Sequence, residues 1–327
     1  MRHFLPVALL STLVGLSANA QAAVDISQTI PKGLRFMEEK SLAWKEKMGC
    51  ASCHHVPMML WSAYEAKKHG YEVKESVVES MRAWVLQDDN ASGVFPPKES
   101  PPDRDGTQIA SIYVLHALEA GPGGWEDSSF AKQTAEHFLA LQQPDGSWPP
   151  FPSSGRSPIL EGNGISTRFL LAALAALPGR ATDPNVATAV DKAALAVSAM
   201  TPISHQAKVL QLLAEVRTGA DDSSIQAHVA KILAMQRVDG SWAQTPEMFG
   251  DAYATGQTLY ALAQTGVKVD HPAIKRAARF LVESQSEDGS WPMISRPIEA
   301  GGREAHNLEP IVAMATGWAL LGLLAVS

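Results

Sequence analysis

Apolar residues recur along this chain with a helical period, and the periodic segments are of two kinds. One kind has an apolar face and a polar face, near residues 28–48, 72–87, 128–142, 184–199, 223–236 and 271–285. The other is richer in Ala and Leu and apolar nearly all round, near 57–69, 107–120, 164–177, 204–218, 252–265 and 310–325. A one-faced helix belongs at a surface, whereas a helix apolar on every side belongs in an interior. Strict alternation of the two predicts six two-helix units, an outer ring of helices around an inner ring. Gly70, Gly121, Gly219 and Gly266 follow inner segments, where a left-handed residue commonly ends a helix. Pro184 and Pro272 sit where the first turn of an outer segment tolerates proline.

A repeat underlies the alternation. Asp145-Gly146-Ser147-Trp148, Asp239-Gly240-Ser241-Trp242 and Asp288-Gly289-Ser290-Trp291 are one tetrapeptide at separations of 94 and 49 residues, the first nearly twice the second. Each copy follows an outer segment carrying an apolar pair and a glutamine: Phe138-Leu139 with Gln142, Ile232-Leu233 with Gln236, Phe280-Leu281 with Gln285. The expected roles are structural. Gly permits a sharp turn, Trp buries a large face between units, and Gln bonds backbone groups at a helix end.

This arrangement resembles the QW repeat of squalene–hopene cyclases and protein prenyltransferase β-subunits, and the resemblance covers residues 28 to 327. It implies an all-α (α/α)6 toroid, with residues 24–327 as a single domain. Trp84 to Phe95 is a degenerate fourth copy, and the unit near Leu195 to His205 has lost Gly-x-Trp. The resemblance also says which chemistry to look for. The cyclases' Asp-x-Asp-Asp cluster does not occur, Asp88-Asp89 and Asp221-Asp222 being the nearest. The prenyltransferase zinc site retains Asp251 but has Tyr253 where its Cys would stand and Ala315 where its His would stand. Cyclase and prenyltransferase activities are therefore not expected.

Candidate chemistry lies elsewhere. Cys50-Ala51-Ser52-Cys53-His54 is a C-x-x-C-H motif, and its cysteines are the only two in the chain. In c-type haem proteins two such thiols take up the haem vinyl groups and the histidine binds the iron. One covalent haem c is expected, held by Cys50 and Cys53 with His54 as proximal ligand. A thioredoxin-like pair and a zinc site using His55 are weaker matches to the flanking helical pattern and the ligand spacing. The motif falls just before the first inner helix, which puts the haem at the toroid mouth. There His55, Met58, Met59, His205, Met248, Met293 and His306 could supply a distal ligand; His306 is the first choice because ring closure makes the first and sixth inner helices neighbours.

Residues 1–23 read as a secretory signal: a basic start, an apolar run from Phe4 to Leu16 and small residues around Ala18-Asn19-Ala20. That run is too short to span a bilayer, and a periplasmic or secreted protein without a stable membrane span is expected. The whole chain carries a net charge of −7. Without residues 1–23 it keeps 26 basic and 34 acidic residues, which argues against nucleic acid as a partner.

Arg104, Asp105, Arg168, Asp251, Tyr253, Arg303 and Glu309 could face the same mouth, and Asp251 with Tyr253 is the candidate catalytic pair. Together these features lead to an expectation of electron transfer or redox chemistry by a haem protein, with a periplasmic redox partner and a hydrophobic small-molecule ligand. A haem-bearing binding or sensor module without turnover is the alternative.

Overall fold

The computed structural model describes residues 24–87, 91–94, 107–122, 129–149, 163–177, 179–293 and 308–327. The leader segment, Asp88, Asp89, Phe95, Arg104, Asp105, Arg303 and His306 lie outside them. The outer helices are α1 (Thr29–Met48), α3 (Glu75–Val85), α5 (Ser129–Leu141), α8 (Pro184–Ala199), α10 (Asp222–Ala234) and α12 (Pro272–Ser284). The inner helices are α2 (Val56–Lys68), α4 (Thr107–Ala120), α6 (Asn163–Ala175), α9 (His205–Thr218), α11 (Ala252–Ala263) and α13 (Glu309–Leu324). A one-turn helix, α7 (Gly179–Thr182), precedes α8 and has no counterpart in the periodicity. Boundaries agree with the sequence expectation to within about three residues. Trp242 and Asp251 form an isolated bridge, and no strand occurs among the described residues.

The inner helices close on themselves. Each packs on the next in the order α2, α4, α6, α9, α11, α13, and α13 returns to α2. Outer helices fill the external grooves: α1 lies against α13 and α2, α8 against α6 and α9, and α12 against α11 and α13. Burial follows the layering. In α13 every residue from Ala313 to Leu324 is buried, whereas α10 buries only Val229 and Ile232.

The repeated tetrapeptide makes the joints. Trp148, Trp242 and Trp291 are buried, and each indole N–H donates to a carbonyl near the end of the preceding outer helix: Phe138, Ile232 and Leu281, at 2.7–2.8 Å. Each Trp backbone N–H donates to a threonine hydroxyl on the following inner helix, Thr167, Thr255 or Thr316. The Gln amide reaches farther. Gln142, Gln236 and Gln285 each donate to the carbonyl of their own turn glycine and to a carbonyl on the next outer helix of the ring, that of Ala189, Ala273 or Thr29. The bond from Gln285 to Thr29 joins residues 256 positions apart and closes the circle.

Gly240 shows why the turn tolerates no side chain. Its φ is +89°, and a Cβ there would stand 2.6 Å from the Arg276 carbonyl oxygen. Gly146 against Lys192 and Gly289 against Lys32 repeat this contact, so turn and next helix touch backbone to backbone. The closest pair of inner helices uses glycine in another way. Gly256 of α11 lies against the backbone at Trp318, and Gly322 of α13 lies against Gly256. Asp145, Asp239 and Asp288 each accept from the N–H and hydroxyl of the serine two residues on, which fixes the turn.

Replacing Trp242 by alanine should cost about 3–5 kcal/mol, the range for truncating a buried aromatic. Urea unfolding of the variant measures it, and a loss below about 1 kcal/mol would contradict the joint role.

Candidate functional site

Among the described residues, the polar groups singled out from the sequence lie toward the starts of inner helices: Arg168 on α6, His205 on α9, Asp251 and Tyr253 at α11 and Glu309 on α13. Asp251 is set by the joint that precedes it. Its N–H donates to the Trp242 carbonyl at 3.1 Å, its Oδ1 accepts from Ala254 N at 2.8 Å as the cap of α11, and its Oδ2 accepts from Gln244 Nε2 at 2.8 Å. Only 8% exposed, the carboxyl is pushed up to about 6 by burial, against which these bonds pull it down. The Gln244 NH2 thus meets the Asp251 carboxylate.

Two residues on, Tyr253 is buried, and its hydroxyl accepts from Gln206 Nε2 at 2.8 Å, joining α11 to the start of α9. Burial raises its phenol well above the ordinary value, with Tyr113, Asp251 and Cys53 adding in the same direction. Tyr113 is raised for the same first reason, again with a contribution from Cys53. Tyr113, midway along α4, meets the Phe169 ring edge-on at 4.7 Å. Gln257, one turn along α11 and 1% exposed, stands beside the Tyr253 hydroxyl and pulls against the rise of that phenol.

Deeper along the axis the rings converge. Trp61 of α2 stacks on His116 of α4 at 4.9 Å and meets Trp318 of α13 and Tyr260 of α11 edge-on, each at 5.3 Å. Phe169 of α6 covers the other side of His116 at 4.6 Å. Beyond them Arg217 of α9 donates to Glu119 at 2.8 Å, to His116 Nδ1 at 3.2 Å and to the Ala172 carbonyl. Burial lowers the His116 imidazole to about 4, so it is neutral and accepts from the guanidinium. Burial alone would raise Glu119, but His116 and Arg217 outweigh it and hold the carboxyl below the usual range.

His205 is neutral as well, lowered to about 3 by burial. The Thr258 hydroxyl spends its proton on the Ala254 carbonyl, so His205 Nε2 donates to Thr258 at 2.7 Å. Arg168 is 1% exposed and engaged: its guanidinium donates to the Gly164 and Met200 carbonyls and to Gln211 Oε1. Glu309 opens α13 and is half-buried, Met248 is half-buried in the loop before Asp251, and Met293 is buried two residues after Trp291.

Cys50 and Cys53 are partly exposed thiols in the loop between α1 and α2. His54 is 4% exposed, its ring 4.8 Å edge-on from Trp44 and its Nδ1 on His55 Nδ1. His55 stacks on Trp44 at 4.4 Å and is lowered to about 3, first by burial and then by Lys40. Met58 and Met59 are buried in the core.

Residues 189–327 match the family described as the squalene–hopene cyclase C-terminal domain. The squalene–hopene cyclase of Zymomonas mobilis subsp. mobilis is 31% identical over 131 residues, 38% of this chain and 18% of that one. The squalene–hopene cyclase of Bradyrhizobium diazoefficiens is 34% identical over 122 residues, 36% of this chain and again 18% of the relative. The matched region thus spans under a fifth of these relatives' length. Among solved structures, the type II terpene cyclase MstE from Scytonema has a TM-score of 0.60 at 16% identity, covering 91% of this chain and 97% of that one. A glycosyl hydrolase of family 88 from Bacteroides vulgatus has a TM-score of 0.55 at 10% identity, covering 91% and 99%. The fold is terpene-cyclase-like. At such identities the structural likeness shows the fold alone.

These findings correct the functional expectation. A haem protein in electron transfer, with cyclase chemistry set aside, is overturned by relatives that are named squalene–hopene cyclases and by the match to that family's C-terminal domain. Haem, iron and cytochrome chemistry gain no support from the geometry either. His54, the expected iron ligand, is enclosed by Trp44 and His55, and no group of three or more His, Cys, Asp or Glu among the described residues could hold a metal ion. No helix among those residues is long and apolar enough to cross a membrane.

Because Asp251 is raised from 3.8 to about 6, its protonated form stabilises the fold fully below about pH 4, and that contribution is lost as the pH rises through about 6. The shift corresponds to about 3 kcal/mol. His55, His116 and His205 act oppositely, costing stability as the pH falls below about 6.5. Since Asp251→Asn leaves those histidines in place, its stability relative to the wild type should rise by up to about 3 kcal/mol between pH 4 and 6.5. Urea titrations across that range measure it, and a flat difference would contradict the raised carboxyl.

Proposed function

We propose that this chain is an isoprenoid-handling toroid of the terpenoid-cyclase type, taking an unsaturated isoprenoid hydrocarbon against the axial aromatic rings and exchanging a proton with it through Asp251. The observation that carries this reading is the convergence of Trp61, Phe169, Tyr260 and Trp318 from four inner helices on one axis. It gains weight from the cyclase-domain match, which includes Asp251, Tyr253, Tyr260 and Trp318. Aromatic faces offer apolar area to a hydrocarbon and a negative quadrupole to a carbon that becomes cationic. An alkene gains positive charge only when an acid gives up a proton, so the acid must still hold one. Asp251 does so up to about pH 6.

The division of labour follows from the hydrogen bonds. Gln244 donates to the Asp251 carboxyl, while Gln206 donates to the Tyr253 hydroxyl two residues on. The chain lacks the acid cluster of the cyclases, which leaves Asp251 as a single carboxyl. Zinc-dependent prenyl transfer is not part of the reading, since Tyr253 and Ala315 replace two ligands of that site.

Detergent-dispersed squalene should quench tryptophan fluorescence saturably, and Trp318→Ala should weaken binding about tenfold or more. At pH 5.5 in D2O the wild type should place deuterium in recovered squalene or its products, whereas Asp251→Asn should bind as well and incorporate none. Absence of saturable binding, or equal incorporation by Asp251→Asn, would overturn the reading.

A further inference from the structure

We propose that Cys50 and Cys53 form a reversible dithiol–disulfide couple at the toroid mouth that exchanges electrons with small thiols and disulfides. The inference is independent of the isoprenoid reading. Two cysteines separated by two residues is the spacing of redox-active thiol pairs, and here both side chains are partly exposed and neither is in a disulfide.

The loop is built around that spacing. Ser52, between the cysteines, has φ +56°, the left-handed region that a non-glycine residue seldom enters. Among the described residues it is the non-glycine residue found there, and such conformations cluster where the surroundings hold a functional geometry. Those surroundings are visible on both sides. The Ser52 hydroxyl accepts from the N–H groups of His54 and His55 at 3.3 and 3.2 Å. Ala51 between the thiols is buried, its N–H donating to the Ser92 carbonyl and its carbonyl accepting from Val56 at the start of α2. The backbone is therefore pinned before and after the reversal, and the two thiols are carried on a fixed turn.

The chemistry balances with a low-molecular-weight disulfide as oxidant. One cysteine thiolate attacks a sulfur of the small disulfide and releases one small thiol. The second thiolate then attacks the mixed-disulfide sulfur, releases the second small thiol and forms the Cys50–Cys53 bond. Two electrons pass to the small disulfide and two protons leave the cysteines; excess small thiol reverses both steps.

The test uses the folded full chain equilibrated with graded ratios of reduced to oxidised glutathione, then acid-quenched, alkylated and weighed by mass spectrometry. Both thiols should lose reactivity in one two-electron transition, with loss of the mass of two hydrogens and full recovery on reduction. Cys50→Ser should instead accumulate a glutathione adduct on Cys53. Thiols still alkylated in excess oxidised glutathione, stable adducts on both cysteines without an internal bond, or cysteines already closed by an irreversible covalent group would each overturn the proposal.

Discussion

The amide of Gln142, Gln236 and Gln285 is the small device on which this toroid depends. Each sits at the end of an outer helix and spends its NH2 on two carbonyls, one in its own turn and one on the next outer helix of the ring. A single unit of two helices cannot bury its inner face alone, so stability has to come from its neighbours. The glutamine fixes the neighbour's position along the ring, the glycine lets backbones touch, and the tryptophan fills the space beneath. The Gln285–Thr29 bond turns a row of units into a circle. Closure in turn brings α13 and α2 together, and with them Trp318 and Trp61 at the axis.

The same joint orders the mouth. Asp251 pairs with the Trp242 backbone, so the residue that caps α11 is placed by the turn that locks α10 to α12. Its raised carboxyl follows from this burial rather than from a charged neighbour. The site is thus a product of the scaffold. A carboxyl, a phenol and two glutamines stand near the helix starts, with aromatic rings farther in.

The architecture was legible because its signals are local: a 3.6-residue period, glycine at helix ends and a tetrapeptide whose spacing reveals the unit. Trp148, Trp242 and Trp291 could be placed between units by spacing alone. The mouth was legible only in part. Asp251 and Tyr253 could be singled out from their sequence positions, but Gln206, 47 residues from Tyr253, carries no signal without the fold. The ring cluster was missed because Trp61, His116, Phe169, Tyr260 and Trp318 lie on five helices and share no motif. Arg168 read as a rim charge, yet three elements of the fold consume its guanidinium. The C-x-x-C-H stretch misled on function for a related reason. A short motif fixes which atoms are present, whereas Trp44, Lys40 and His55, which decide the surroundings of His54 and His55, come from the fold or lie outside the pattern.

If the joints hold a closed ring, the backbone N–H groups of Trp148, Trp242 and Trp291, each bonded to an inner-helix threonine, are protected by the same cooperative unit. Residue-resolved native-state hydrogen exchange measures this directly. All three amides should exchange only through global unfolding, with one common free energy equal to that from urea unfolding. Exchange at Trp291 through a much cheaper local opening, with Trp148 and Trp242 still protected, would mean that the circle is not closed at Gln285.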